Sequence, residues 1–373
     1  MDRIYFDYNA TTPLAPEVLQ AMQPFLQSEF GNPSSHHWAG QRVHAALDSA
    51  REQVAALLRC QTSEVVFTSG GTEANNSALS GVFFAQTRST RPQIAISSIE
   101  HPSITKTCEF LQRLGAVITR VPVDRCGLVD PGDVRRALTT DAVLISIMHA
   151  NNEVGTLQPI REIAAVARER DVLMHTDAAQ SVGKVPADVS ELGVDLLTIA
   201  GHKMYAPLGV GALFIRQGVE LEPWLHGAGH ESGRRAGTEN VASIVGLGVA
   251  CELAETWQHD STVRNLTNLL WQRIASRFGD RVVFNGHATE RLPNTLNVGF
   301  LGHRGHEILA RLPNLAASTG SACHAGNEQI SPVLAAMGIP VAAALGAVRF
   351  SLGRLSTSVD VETIVDQLAN KIP

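Results

Sequence analysis

The chain has 373 residues, 44% of them hydrophobic, enough to bury a large core and to divide into two domains. A formal net charge of -6 gives no electrostatic basis for nucleic-acid binding, and no apolar run nears the roughly 18 residues of a membrane span. Five cysteines, an odd number with no Cys-x-x-Cys pair, argue against both a disulfide framework and a zinc site.

The first strong helical period covers residues 41–58, and a strand at 65–68 follows. That strand runs into Gly70-Gly71-Thr72, a glycine turn that opens a helix. Its amides, the helix dipole and the Thr72 hydroxyl form a ready phosphate seat, although such a turn alone is more often an ordinary cap. The strand at 94–97 leads through Ile99-Glu100 to His101, and Pro102-Ser103 starts the next helix. An imidazole at that junction is frequently only a cap. Strands at 117–121 and 143–148 and a helix at 161–170 come next, then a strand at 172–176 that ends in Asp177, with Gln180 in the following turn. The apolar strand at 196–199 stops at Ala200-Gly201-His202-Lys203. A strand at 211–215 and a helix at 241–257 complete an alternation that implies a mostly parallel, seven-stranded sheet with helices on both faces. After about residue 255 the pattern becomes a long helix, a strand pair at 282–285 and 295–299, and mixed elements, the mark of a smaller α+β domain.

Lysine at a strand end is ordinarily a surface residue. Desolvated at the carboxyl edge of an open sheet, it becomes a Schiff-base nucleophile. Asp177 and Gln180 at a neighbouring strand end turn the balance, because the three groups together fit the polar shell of pyridoxal phosphate. Asp177 would face the pyridinium nitrogen, Gln180 would donate to the phenolate oxygen, and Lys203 would carry the aldehyde. Cys323 lies in Gly320-Ser321-Ala322-Cys323-His324-Ala325-Gly326, a small, polar, glycine-rich stretch that reads as an exposed loop, whereas Cys251 in an apolar helix reads as packing. His324 beside the thiol is more often just solvated, and His36, His37 and His259 read as surface residues.

With these elements placed, the chain resembles the cysteine desulfurases and selenocysteine lyases, in the class-V aminotransferase-like group of fold-type I pyridoxal-phosphate enzymes. The resemblance is carried nearly end to end by Tyr5-Phe6-Asp7-Tyr8-Asn9-Ala10-Thr11-Thr12-Pro13, Phe67-Thr68-Ser69-Gly70-Gly71-Thr72-Glu73, Glu100-His101, Asn151-Asn152-Glu153, Asp177-Ala178-Ala179-Gln180, Gly201-His202-Lys203, Arg235-Ala236-Gly237-Thr238, Gly320-Ser321-Ala322-Cys323 and Val348-Arg349-Phe350. It implies Lys203 as the lysine bonded to pyridoxal 5'-phosphate and His101 as the residue stacked on its ring. Gly71, Thr72 and His202 would hold the phosphate, together with Thr238 reaching across a homodimer interface. Asn152, near the cofactor, and Arg349 would hold the substrate carboxylate, and Cys323 would take sulfur as a persulfide. Residues 16–254 would form the large domain, and 1–15 with 255–373 the small one. L-cysteine is the expected substrate, L-selenocysteine the runner-up, and the acceptor of the sulfur or selenium is unidentified. A class-V aminotransferase with an incidental Cys323, or a scaffold without cofactor, is the alternative from outside this group. Three departures stand out: Ala200 in place of a phosphate-binding serine, Ala206 in place of a glycine, and an end at Pro373 without a longer C-terminal tail. No partner beyond a second copy and the acceptor is expected, neither nucleic acid nor membrane, and the cytoplasm is the default compartment.

Overall fold

The computed structural model describes residues 3–87, 89–319 and 330–372. A short strand β1 (Ile4–Tyr5) leads to helices α1 (Pro16–Gln27) and α2 (Trp38–Leu58). The His37 ring accepts from Gly40 N and starts α2 earlier than the apolar period alone suggests. Strand β2 (Val65–Thr68) then passes to helix α3 (Gly71–Ala85) through Gly70, whose φ of +145° is closed to residues with a Cβ. Next come β3 (Gln93–Ser97), α4 (Pro102–Arg113), β4 (Val117–Val121), α5 (Pro131–Ala137), β5 (Ala142–Ser146) and α6 (Ile160–Glu169). The alternation continues with β6 (Leu173–Asp177), α7 (Val189–Leu192), β7 (Leu196–Ala200), β8 (Gly211–Ile215) and α8 (Val241–Trp257).

Strands β2 to β8 form one seven-stranded sheet in the order β2-β8-β7-β6-β5-β3-β4. Only β8 runs against its neighbours; the rest are parallel. Most of these strands are buried along their whole length, which is why they read as continuous apolar runs. The parallel strands therefore deliver Thr68, Ser97, Ser146, Asp177 and Ala200 to one edge. In the ladder between β6 and β7, Asp177 pairs with Thr198, so the turn carrying Lys203 follows directly beside it.

Beyond α8 lie α9 (Thr262–Phe278), β9 (Val282–Asn285), β10 (Thr295–Phe300), α10 (Gly305–Ala310), β11 (Leu315–Ala316), α11 (Pro332–Ala336), α12 (Val341–Leu345), β12 (Ala347–Ser351) and α13 (Ser358–Lys371). Strands β12, β10 and β9 make an antiparallel sheet, and β1 pairs with β11. Phe6, Leu270, Val298, Phe350 and Ile364 bury themselves in an apolar cluster separate from the one beneath the large sheet. Among the described residues, no helix is long and apolar enough to cross a membrane.

Candidate active site

A cavity of about 300 Å³ opens at the carboxyl edge of the large sheet, and Gly71, Thr72, His101, Asn152, Asp177, Gln180, His202, Lys203 and Arg349 all line it. These are the expected site residues with two exceptions. Thr238 is exposed and does not line this cavity, and Cys323 lies outside the described residues.

At one end of the cavity, α3 begins with no side chain capping it, so its amides and dipole point to an anion there. A Cβ placed on Gly71 would stand 3.1 Å from Ala200 Cβ, so the glycine is what lets the helix start approach the end of β7. Ala200 itself lines the cavity and offers no hydroxyl. Beside it, burial and then the charges of Lys203 and Lys184 bring His202 down to about 4, leaving a neutral ring with one N–H.

Asp177 closes β6 with both oxygens engaged: Ala179 N donates to Oδ1 at 3.0 Å and Asn75 Nδ2 to Oδ2 at 2.7 Å. Asn75 also donates to Ser103 Oγ at 2.8 Å. His101 caps α4, and Ser103 N donates to its Nδ1 at 3.1 Å, which puts the proton of the neutral ring on Nε2. Burial holds this imidazole below its usual range, Asp177 opposes the shift and Lys203 adds to it. The cap reading and the site reading of His101 are thus both realised by one side chain.

Lys203 Nζ donates to the main-chain oxygens of Asn9 and Ala10 at 2.5 and 2.7 Å. Burial lowers its amine from 10.5 to about 8, Arg349 adds to the fall, and Asp7 and Asp177 resist it. A lysine with a sizeable neutral fraction near physiological pH is a competent nucleophile. Arg349, on β12, donates from Nη1 to Asn152 O at 2.9 Å and from Nη2 to Asp7 at 2.6 Å. Its Nε is buried with no hydrogen-bond partner among the described residues.

Asn9, Asn75, Ser103 and Met148 were not foreseen in the site. Asn9 lies within Tyr5-Phe6-Asp7-Tyr8-Asn9, and the one sequence signal in Asn75 is its place one turn into α3, on the face of Thr72. Glu100, which precedes His101, is buried and does not line the cavity. It accepts from Ser97 Oγ at 2.5 Å and Met148 N at 2.9 Å, and burial raises it to about 8.

An uncapped helix start for a phosphate, a carboxylate facing the cavity and a depressed lysine together fit pyridoxal phosphate, and the fold and site define a fold-type I enzyme of that cofactor. The aminotransferase class-V family model matches residues 4–364. The chain is 46% identical to a cysteine desulfurase IscS from Dictyoglomus turgidum, over 98% of this chain and 93% of that one. It is 44% identical to the cysteine desulfurase IscS of Methanosarcina thermophila, over 97% and 90%. Among solved structures, a NifS-like protein superimposes with a TM-score of 0.92 at 34% identity, covering 99% of this chain and 98% of that one. A structure described as SspA in complex with cysteine gives 0.84 at 38%, covering 94% and 98%. The chain therefore belongs to the class-V aminotransferase family and, within it, to the cysteine desulfurases; its cofactor is pyridoxal 5'-phosphate.

Proposed function

We propose that the protein removes sulfur from free L-cysteine, releasing alanine and leaving the sulfur as a persulfide on Cys323. The observation that carries this reading is the convergence of Lys203, Asp177, Gln180, His101 and Arg349 on one cavity. Bound there, pyridoxal 5'-phosphate supplies an aldehyde for amines and a ring that accepts an electron pair. Gly71, Thr72 and His202 would hold its phosphate at the start of α3. Asp177, fixed by Asn75 and Ala179, would pair with the ring nitrogen, and His101 would stack on the ring. Arg349 and Asn152 would hold the substrate carboxylate, and the Lys203 amine would take the Cα proton and return it. Cys323 thiolate attacks the substrate sulfur: a sulfur–sulfur bond forms, the Cβ–sulfur bond breaks, and its electron pair is quenched by a proton on the alanine produced.

The described flanks of the Cys323 segment support its role, since Ser318 exchanges main-chain hydrogen bonds with Arg349 and Ser331 donates to Glu153, next to Asn152. The relatives' names favour cysteine over selenocysteine. The same reading makes the protein a cytoplasmic homodimer passing sulfur to an acceptor protein, with Thr238 serving the partner's phosphate. It also divides the chain into a large domain, 16–254, and a small one, 1–15 with 255–373, in keeping with the separate cluster around Phe6 and Phe350.

The test is alanine formed from cysteine and from selenocysteine by wild type and by Cys323→Ala. Wild type should yield alanine from cysteine; Cys323→Ala should keep its visible absorbance and bind cysteine, yet release almost no alanine from it. Keto-acid-dependent amino transfer without alanine would point to an aminotransferase, and full desulfuration by Cys323→Ala would remove the persulfide step.

A further inference from the structure

Lys184 has no part in the chemistry described above, yet its amine sits against the site. Nζ donates to Gln180 Oε1 at 3.0 Å and to Asn9 Oδ1 at 3.3 Å. Gln180 in turn donates from Nε2 to the main-chain oxygen of Asn9 at 3.0 Å. An amine on one side and a carbonyl on the other settle which end of the amide is nitrogen. Asn9 uses one Nε2 hydrogen, and the second remains for the cavity that Gln180 lines.

The partner that holds Lys184 is rigid. Asn9 is buried, gives Nδ2 to Thr295 Oγ1 at 2.8 Å and receives Asn294 Nδ2 on Oδ1 at 3.0 Å. No carboxylate pairs with Lys184 among the described residues, and burial, then Lys203 and Arg349, push its amine well below the usual lysine range. Enclosing an amine this way costs stability that an apolar chain of equal length would not, so packing alone does not account for it. Polar geometry does.

We propose that Lys184 is a positioning residue that locks the Gln180 amide so that one N–H faces the ring oxygen of bound pyridoxal phosphate. The inference rests on the cofactor reading above. Without Lys184 the Gln180 oxygen loses its donor, the amide gains freedom to rotate, and the hydrogen bond to the ring weakens.

The experiment titrates apo full-length chains with pyridoxal phosphate and follows the pH midpoint of the visible band for wild type, Lys184→Met, Gln180→Ala and the double variant. Lys184→Met should weaken cofactor binding about fivefold to tenfold, the scale of one hydrogen bond, and move the midpoint to higher pH. In the Gln180→Ala background the same change should add nothing, because the group it acts through is gone. Additive effects, or a Lys184→Met chain indistinguishable from wild type, overturn the positioning role. A wild-type chain that takes up no pyridoxal phosphate overturns instead the reading beneath it. If Lys184→Met does not fold, Lys184→Gln serves in the same cycle, its shorter amide being unable to reach the Gln180 oxygen.

Discussion

At the residue scale, the Lys203 amine sets a pH dependence. The neutral amine is the form that would bond the cofactor aldehyde, and its fraction grows as pH rises through about 8. Uptake of pyridoxal phosphate by the apo-protein should therefore accelerate between pH 7 and 8 and level off above about 9, whereas an ordinary lysine would keep gaining towards its 10.5. Stopped-flow absorbance would show it, and a rate still rising steeply at pH 10 would mean that Lys203 is not depressed. Arg349 gives a second residue-level test. Its Nη atoms already serve Asp7 and Asn152, so a carboxylate must be met by a fork that keeps those contacts. Arg349→Lys should raise KM for cysteine roughly tenfold to a hundredfold, about 1.4 to 2.8 kcal/mol, with a smaller change in kcat. An unchanged KM would place the substrate carboxylate elsewhere.

At the element scale, the contact between the start of α3 and the end of β7 is where the proposed reading would seat the phosphate. Gly71→Ala puts a methyl 3.1 Å from Ala200 Cβ, so the two must give way by a few tenths of an ångström. Cofactor affinity should fall, while Ala200→Ser, which adds a hydroxyl at the same edge, should tighten it by roughly threefold to tenfold. Equilibrium dialysis of apo-protein against pyridoxal phosphate decides both, and a looser Ala200→Ser chain would mean that the hydroxyl finds no anion. These strand ends were legible in the sequence because a buried parallel strand is a continuous apolar run that stops where polar chemistry starts. Asp177, Lys203 and His101 each stand at such a stop. Boundaries were less legible: β5 is bounded at Ser146, although its apolar run continues to Met148 and Ile147 N and His149 N still donate to His175 and Asp177 of β6.

At the scale of the whole molecule, the N-terminal segment ties the site together. Asn9 N donates to Ser351 Oγ, its carbonyl receives Lys203 and Gln180, and its side chain reaches Asn152 O. Tyr205, at a φ of 65°, is held by Thr12 Oγ1 and gives its carbonyl to Ala15 N. None of this was readable from spacing, because residues some 340 positions apart meet only through the tertiary fold. Thr238 is exposed in the single chain, and in the proposed homodimer it would serve the second chain's phosphate. Thr238→Val should lose cofactor more readily than wild type, and in a homodimer with shared sites the defect belongs to the neighbour. Mixing Thr238→Val with Lys203→Ala chains then gives hybrids with one site intact, built from the first chain's Lys203 and the second chain's Thr238, and one site carrying both defects. Retained visible absorbance and alanine release should therefore exceed the mean of the two variants assayed apart. If Thr238 acts within its own chain, every hybrid site carries one defect and mixing restores nothing; a monomer by light scattering that is fully active would end the shared-site reading altogether.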